Sequence, residues 1–180
     1  FINFSQIVEN EVYNLQKAKF KDASKIIIGK NNQETLRPRG KIISPGKHTS
    51  VQAVYILGNQ NLLKVAVAYI LKIAASLSAK ESELHVNLGA ETDIVKLDLL
   101  FTNQLPQDKL DLLFQKFFNE FLNLGELADF TGLEIAIAKE IFEKHGGDLK
   151  IQQTEEGLLF SATLIRHEAA SQAIGADSKT

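Results

Sequence analysis

The sequence predicts an α+β fold, a two-layer sandwich in which helices cover one face of a mixed, mostly antiparallel sheet. Two observations lead to this prediction. Apolar residues recur at helical spacing in several segments, and short apolar runs bounded by turn residues lie between those segments. The chain has 180 residues, 44% of them hydrophobic, which is enough for one domain with its own core.

The first half of the chain predicts two helices and two strands. An amphipathic helix of about four turns is expected from the apolar residues Phe4, Ile7, Val8, Val12 and Leu15. A short strand follows at 25–28 and is expected to end at Gly29, and a second strand is expected at 51–57. Asn59 then predicts the cap of a long helix that ends near Leu77 and is apolar on most sides, so it should be central and buried.

The second half predicts hairpins and two further helices. The expected elements are strands at 84–88 and 94–101, a helix at 107–118 after Pro106, an irregular apolar segment at 121–130, a helix at 133–144 that ends at the glycines 146–147, and a hairpin of strands 149–153 and 158–165. We therefore expect one domain over 1–166, with a loop insertion at 30–50 that holds a possible small strand at 41–43, and a disordered tail at 167–180.

Composition excludes several classes of function. The net charge of −2 gives no field that would attract nucleic acid or an anionic membrane, and the absence of Cys excludes disulfides and thiolate sites. The apolar run 65–77 is shorter than a membrane span and contains Lys72, and no signal peptide precedes it. We expect a cytoplasmic domain without membrane or nucleic-acid contacts. Because the chain starts at Phe1 and has no Met, we also expect it to be part of a longer protein.

Three motifs, in this order along the chain, resemble those of one family. They are residues 58–65 (GNQNLLKV) with 73–78 (IAASLS), residues 105–118 (LPQDKLDLLFQKFF), and residues 132–139 (GLEIAIAK) with 142–147 (FEKHGG). Together with the closing strand at 160–164 (FSATL), they resemble the ATPase domain of sensor histidine kinases, the GHKL type. The resemblance covers 51–165 well and implies the sandwich fold described above.

The chain departs from that family where the chemistry is expected. In the family, two asparagines one turn apart on the first core helix hold magnesium and phosphates, and the matching positions here are Tyr69 and Ile73. The family's adenine-reading carboxylate falls on Leu100 or Phe101, depending on the register. An isoleucine side chain has no lone pair for a metal ion, and Phe101 cannot accept a hydrogen bond. The resemblance therefore implies degenerate cofactor-binding positions at Tyr69, Ile73 and Phe101.

The third motif keeps Gly132 but has Glu134 in place of its second glycine. Glu134 has two interpretations from sequence. It is either a carboxylate that caps the start of a helix, or a negative charge that competes with a triphosphate at the free N–H groups there. The phenylalanine-rich segment 114–130 is similarly either core or a partner-binding patch.

We hypothesise a degenerate ATPase domain that acts as a regulatory or protein-interaction module in two-component signalling. It also resembles the pseudo-ATPase domain of histidine phosphotransferases. No cofactor, metal or catalytic residue is expected. The partner would be a protein of a signalling complex, such as a response regulator or a kinase dimerisation domain. Two alternatives remain: a working ATP- and magnesium-binding domain with divergent contacts, and a pocket adapted to an apolar ligand.

Overall fold

The computed structural model describes residues 1–17, 25–31, 53–78, 82–105, 110, 112–114 and 131–167. The helices are α1 (Phe4–Lys17), α2 (Gln60–Leu77) and α3 (Glu134–Lys144). The strands are β1 (Ile2–Asn3), β2 (Lys25–Asn31), β3 (Tyr55–Ile56), β4 (Glu83–Ala90), β5 (Ile94–Phe101), β6 (Asp148–Gln153) and β7 (Leu158–Ile165).

The main sheet has five strands in the order β2-β4-β5-β7-β6. β2 pairs with β4 in parallel, and the other neighbours pair antiparallel. Burial alternates along β5, where the buried residues on one face are Val95, Leu97, Leu99 and Phe101. This alternation is typical of a sheet with one face on the core. The predicted fold class, a mixed and mostly antiparallel sheet with helices on one face, is confirmed.

Helix α2 is the centre of the helical layer, since it packs against both α1 and α3. By length and composition alone α2 could cross a membrane. Its apolar character is explained by the fold, because nine of its residues, from Leu63 to Leu77, are buried. Asn59 caps the helix as predicted, and its side-chain oxygen accepts from the N–H groups of Asn61 and Leu62 at 3.0 and 3.2 Å.

Helix α3 ends at a glycine turn, as predicted. Gly146 has φ of +74°, a conformation that side chains with a Cβ rarely adopt. The next residue, Gly147, donates its N–H to the carbonyl of Phe142 at 2.9 Å. A Cβ atom at Gly147 would lie 1.8 Å from the carbonyl oxygen of Thr163, so α3 can approach β7 only through glycine.

Two predicted strand boundaries were wrong. β2 continues through Gly29 to Asn31, because Gly29 pairs with Asn87 in the ladder with β4 and glycine weakens a strand without ending it. Among the described residues of the predicted strand 51–57, which are 53–57, only Tyr55–Ile56 form a strand. This strand, β3, pairs with β1, a two-residue strand that the sequence did not predict. Several predicted features lie outside the described residues: the strand at 41–43, most of the insertion at 30–50, most of the helix at 107–118, the segment 121–130 and all but the first residue of the tail.

Candidate functional site

The start of α3 is held by a carboxylate that reaches backwards along the chain. Glu134 Oε1 accepts from the N–H and the hydroxyl of Thr131, both at 3.0 Å. Its Oε2 accepts from the N–H of Gly132 at 3.0 Å and from the N–H of Leu133 at 3.1 Å. Four donors therefore converge on one side chain.

This arrangement follows from the local sequence. The N–H groups of Thr131, Gly132 and Leu133 precede the first helical residue, so no carbonyl of the helix accepts from them. Gly132, with φ of +81°, allows the turn that points these N–H groups at one place. Partial burial raises the pKa of the Glu134 carboxyl. The hydrogen bonds from Thr131, from its own backbone and from Gly132 together lower this pKa by more than burial raises it. The net result is a pKa below the ordinary value for glutamate, so the side chain is charged at neutral pH.

The two predicted positions on α2 lie in or against the hydrophobic core. Ile73 is fully buried, with 0% of its surface exposed. Tyr69 lies one turn earlier and is partly buried against the same core. At these two positions α2 therefore has a partly buried phenol, Tyr69, and a fully buried hydrocarbon side chain, Ile73.

Phe101, at the end of β5, is also part of the core. It is 1% exposed, and its ring packs edge-on against Phe160 of β7, with centroids 5.3 Å apart and an interplanar angle of 70°. Leu100 points to the opposite face of the sheet and is partly buried. Of the two registers considered from sequence, Phe101 is the one whose side chain faces the helices.

A glutamine holds the segment that follows β5. Gln153, at the end of β6, donates its amide N–H to the carbonyl of Asn103 at 3.1 Å and accepts from the N–H of Leu105 at 3.1 Å. The Asn103 side chain in turn donates to the carbonyl of Leu77, at the end of α2. The ends of α2, β5 and β6 are thus joined by hydrogen bonds that involve two side-chain amides.

Lys139 of α3 contacts the start of β6 and the ring of Phe114. Lys139 Nζ lies 3.2 Å from Asp148 Oδ1, 3.4 Å from Glu143 Oε1 and 4.9 Å from the centre of the Phe114 ring. Burial raises the pKa of Asp148. The hydrogen bonds from Lys139 and from the N–H of Leu149 oppose this effect and bring the pKa below its ordinary value. The segment near Phe114 is thereby tied to α3 by a cation–π contact.

Comparisons with known proteins agree with this architecture. The sensor protein VanS of Enterococcus faecium is 31% identical over 124 residues, which are 66% of this chain and 32% of VanS. The mycobacterial sensor histidine kinase MprB aligns with a TM-score of 0.68 at 16% identity, over 93% of this chain and 97% of that structure. The nucleotide-free catalytic domain of histidine kinase ThkA aligns with a TM-score of 0.68 at 13% identity, over 91% and 95%.

The chain folds as a histidine kinase ATPase-like domain. It spans about a third of the length of VanS, the curated relative that it matches. No protein-family model matches the sequence. The motif order 58–65, 105–118 and 132–139 therefore led to the correct fold.

The side chains of Ile73 and Phe101, which the sequence resemblance matched to magnesium and adenine contacts, contain no oxygen or nitrogen atom. Magnesium prefers oxygen ligands in near-octahedral geometry, and Ile73 supplies none. The Phe101 ring is in contact with the ring of Phe160. Within the described parts of the chain, no three His, Asp or Glu side chains come close enough together to hold a metal ion.

Sequence reasoning named Glu134, Ile73 and Phe101 but missed Gln153 and Asn103. The structure brings Ile73 and Phe101 into one core and places Glu134 at the start of α3. Nothing in the sequence marks Gln153, because a polar residue at a strand end is commonplace. The Gln153 side chain has hydrogen-bond partners only because the segment after β5 brings the backbone of Asn103 and Leu105 to the end of β6.

Proposed function

We propose that this histidine kinase ATPase-like domain is a regulatory or protein-interaction module of two-component signalling that does not hydrolyse ATP. The observation that carries the proposal is the Glu134 carboxylate, which accepts from three backbone N–H groups at the start of α3. Such N–H groups are the donors that bind phosphates at helix N-termini. In this domain the N–H groups of Thr131, Gly132 and Leu133 already donate to the Glu134 carboxylate.

A nucleotide would meet two obstacles at that helix start. Its phosphates would have to displace hydrogen bonds of 3.0–3.1 Å to Glu134. The lowered pKa of Glu134 also keeps a negative charge next to any incoming phosphate, and like charges repel. A bound triphosphate would therefore require Glu134 to move away.

The inner positions support the same proposal. Ile73 and Phe101 are fully packed in the hydrophobic core and offer no oxygen or nitrogen to a magnesium ion or to adenine. Absent hydrogen-bond partners at a polar ligand cost about 1–3 kcal/mol each. Both the base and the metal would thus lose contacts that the fold provides in a nucleotide-binding relative.

The proposed partner is a protein. VanS is a sensor protein and MprB a sensor histidine kinase, and both contain a region that this chain matches. By this relationship we propose a cytoplasmic role in a signalling complex, with a response regulator or a kinase dimerisation domain as the partner. No nucleotide or metal cofactor is required for such a role.

Isothermal titration calorimetry with ATP and ADP, with and without magnesium, tests the proposal. We expect no binding heat from the unaltered chain up to nucleotide concentrations of about 1 mM, which corresponds to about −4 kcal/mol. The variant Glu134→Gly should gain measurable affinity for phosphate-containing ligands, whereas Glu140→Gln on the exposed face of α3 should not. Magnesium-dependent binding by the unaltered chain would overturn the proposal.

The alternative is a domain that binds ATP through divergent contacts. Gly132 favours it, since its positive φ preserves a turn that points backbone N–H groups towards one place. In that case Glu134 would swing out when nucleotide enters. The same titration then gives magnesium-dependent heat without any substitution, and phosphotransfer to a histidine-bearing partner becomes the next assay.

A further inference from the structure

His145, the residue that ends α3, has both ring nitrogens in hydrogen bonds. Its Nε2 accepts from the backbone N–H of Asn59 at 3.0 Å. Its Nδ1 lies 2.6 Å from the carbonyl oxygen of Ile141, one turn back in the same helix. The ring therefore connects the end of α3 to the residue that caps α2.

The two partners determine where the ring proton lies. A carbonyl oxygen can only accept, so Nδ1 must carry the hydrogen that it donates to Ile141. A backbone N–H can only donate, so Nε2 must be without a hydrogen to accept from Asn59. His145 is thus assigned as the neutral ring with its proton on Nδ1.

The ring also fits closely against the turn before α2. A Cβ atom at Gly58 would lie 2.2 Å from His145 Cδ2, so a glycine is needed for this approach. The residue after it, Asn59, caps α2 through the N–H groups of Asn61 and Leu62. The His145 ring therefore lies directly against the turn that begins the central helix.

We propose that His145 is a proton-sensitive link between the end of α3 and the start of α2. A proton added to Nε2 turns that atom into a donor, which then faces the N–H of Asn59, another donor. The bond across the two helices is lost. The bond from Nδ1 to the carbonyl of Ile141 remains, because Nδ1 carries a hydrogen in both forms of the ring. Protonation thus releases the α2 side of the link and leaves the α3 side in place.

The charged groups near the ring have partners of their own. On α3, Lys144 pairs with Glu140 at 2.7 Å and Glu143 pairs with Lys139 at 3.4 Å. Arg166, the residue after β7, donates to the carbonyl of Glu91 at 3.0 Å.

On the α2 side, the turn 57–61 contains no ionisable side chain, and Lys64 is the first on the helix. The groups that meet the two ring nitrogens directly are the backbone N–H of Asn59 and the carbonyl of Ile141. This inference does not depend on whether the domain binds nucleotide.

Nitrogen-15 NMR of the histidine rings, combined with amide hydrogen exchange between about pH 5 and pH 8, tests the link. At the upper end we expect His145 to show a proton on Nδ1 alone. As the ring is protonated, protection of the Asn59 amide, corrected for intrinsic exchange, should fall about ten-fold, the equivalent of one hydrogen bond. The amide of His145 itself, bonded to Ile141 and Phe142, should keep its protection.

Two variants complete the test. His145→Gln keeps an acceptor that does not titrate, so the pH dependence at Asn59 should disappear. His85→Gln removes a histidine on β4, which lies 3.5 Å from Glu83, and should leave the pH dependence unchanged. A proton on Nε2 of His145 at neutral pH, or an Asn59 amide whose protection does not change as the ring titrates, would overturn the proposal. These readings come from the unaltered chain and remain decisive even where a variant folds poorly.

Discussion

The inner wall and the rim of the candidate site are held by different forces. The inner wall, Ile73 and Phe101, is hydrocarbon packed in the core with 0% and 1% of its surface exposed. The rim, from Thr131 to Glu134, is a partly exposed set of hydrogen bonds around one charge. A substitution in the wall should therefore change the stability of the fold, and a substitution at the rim should change which ligands the helix start accepts.

The largest expected effect is at the wall residue Phe101. Phe101→Ala removes a buried ring that packs on Phe160 and should lower the free energy of unfolding by about 3–5 kcal/mol. Urea denaturation followed by circular dichroism measures this loss. The control is Ile94→Ala at the exposed start of the same strand, which should cost much less. Equal losses for both would mean that Phe101 is not part of the core.

A loss of similar size is expected when the family's asparagine is placed on α2. Ile73→Asn removes a fully buried aliphatic side chain and buries an amide, so we expect a loss of at least about 2 kcal/mol. Leu62→Asn, at an exposed position of the same helix, is the control. A stable Ile73→Asn variant that also binds magnesium would show that one amide restores a metal site although Tyr69 replaces the other asparagine.

The third prediction concerns Gln153, whose side-chain amide holds the segment after β5. Gln153→Ala leaves the carbonyl of Asn103 and the N–H of Leu105 without their partners, which should cost about 1–3 kcal/mol. Gln152→Ala, the exposed neighbour on β6, should be nearly neutral. Thermal melting of the pair distinguishes them. No difference between the two variants would show that the segment after β5 is held by other contacts.

The rim gives a prediction about pH. Because the pKa of Glu134 in the fold is below its ordinary value of 4.5, its contribution to stability is complete above that value and is lost as the pH falls through the lower one. Glu134→Gln should therefore flatten the decrease in urea midpoint below about pH 4.5. Glu156→Gln, at an exposed position in the turn before β7, should leave the profile as in the unaltered chain. An unchanged profile in Glu134→Gln would contradict the assignment.

Much of this architecture could be predicted from the sequence, because it depends on local patterns. Asn59 before an apolar helix and the glycines 146–147 after α3 each specify an element end through their own chemistry. Apolar residues occupy both faces of β5 near its end, at Leu100 and Phe101, so the sequence did not decide which of the two faces the core. The pairing of β5 with β7 and the burial pattern place Phe101 on the core face. The role of Gln153 could not be foreseen, since it depends on a turn nearly fifty residues earlier in the chain.

Glu134 shows the same limit at the rim. The sequence left two interpretations, a cap on a helix and a competitor of phosphate. In the structure the carboxylate accepts from the three backbone N–H groups that lead into α3, and under the proposed function these are the N–H groups that a phosphate would need. A resemblance in sequence identifies the position but not whether its side chain turns outwards or back onto the helix start.

The most direct measurement is an NMR titration of the unaltered chain with magnesium and ATP that follows the amide signals of Thr131, Gly132 and Leu133. We expect these signals to stay in place, because Glu134 already accepts from all three N–H groups. Their movement to a saturating end point, together with signals from α2, would contradict the proposal and identify a working nucleotide site.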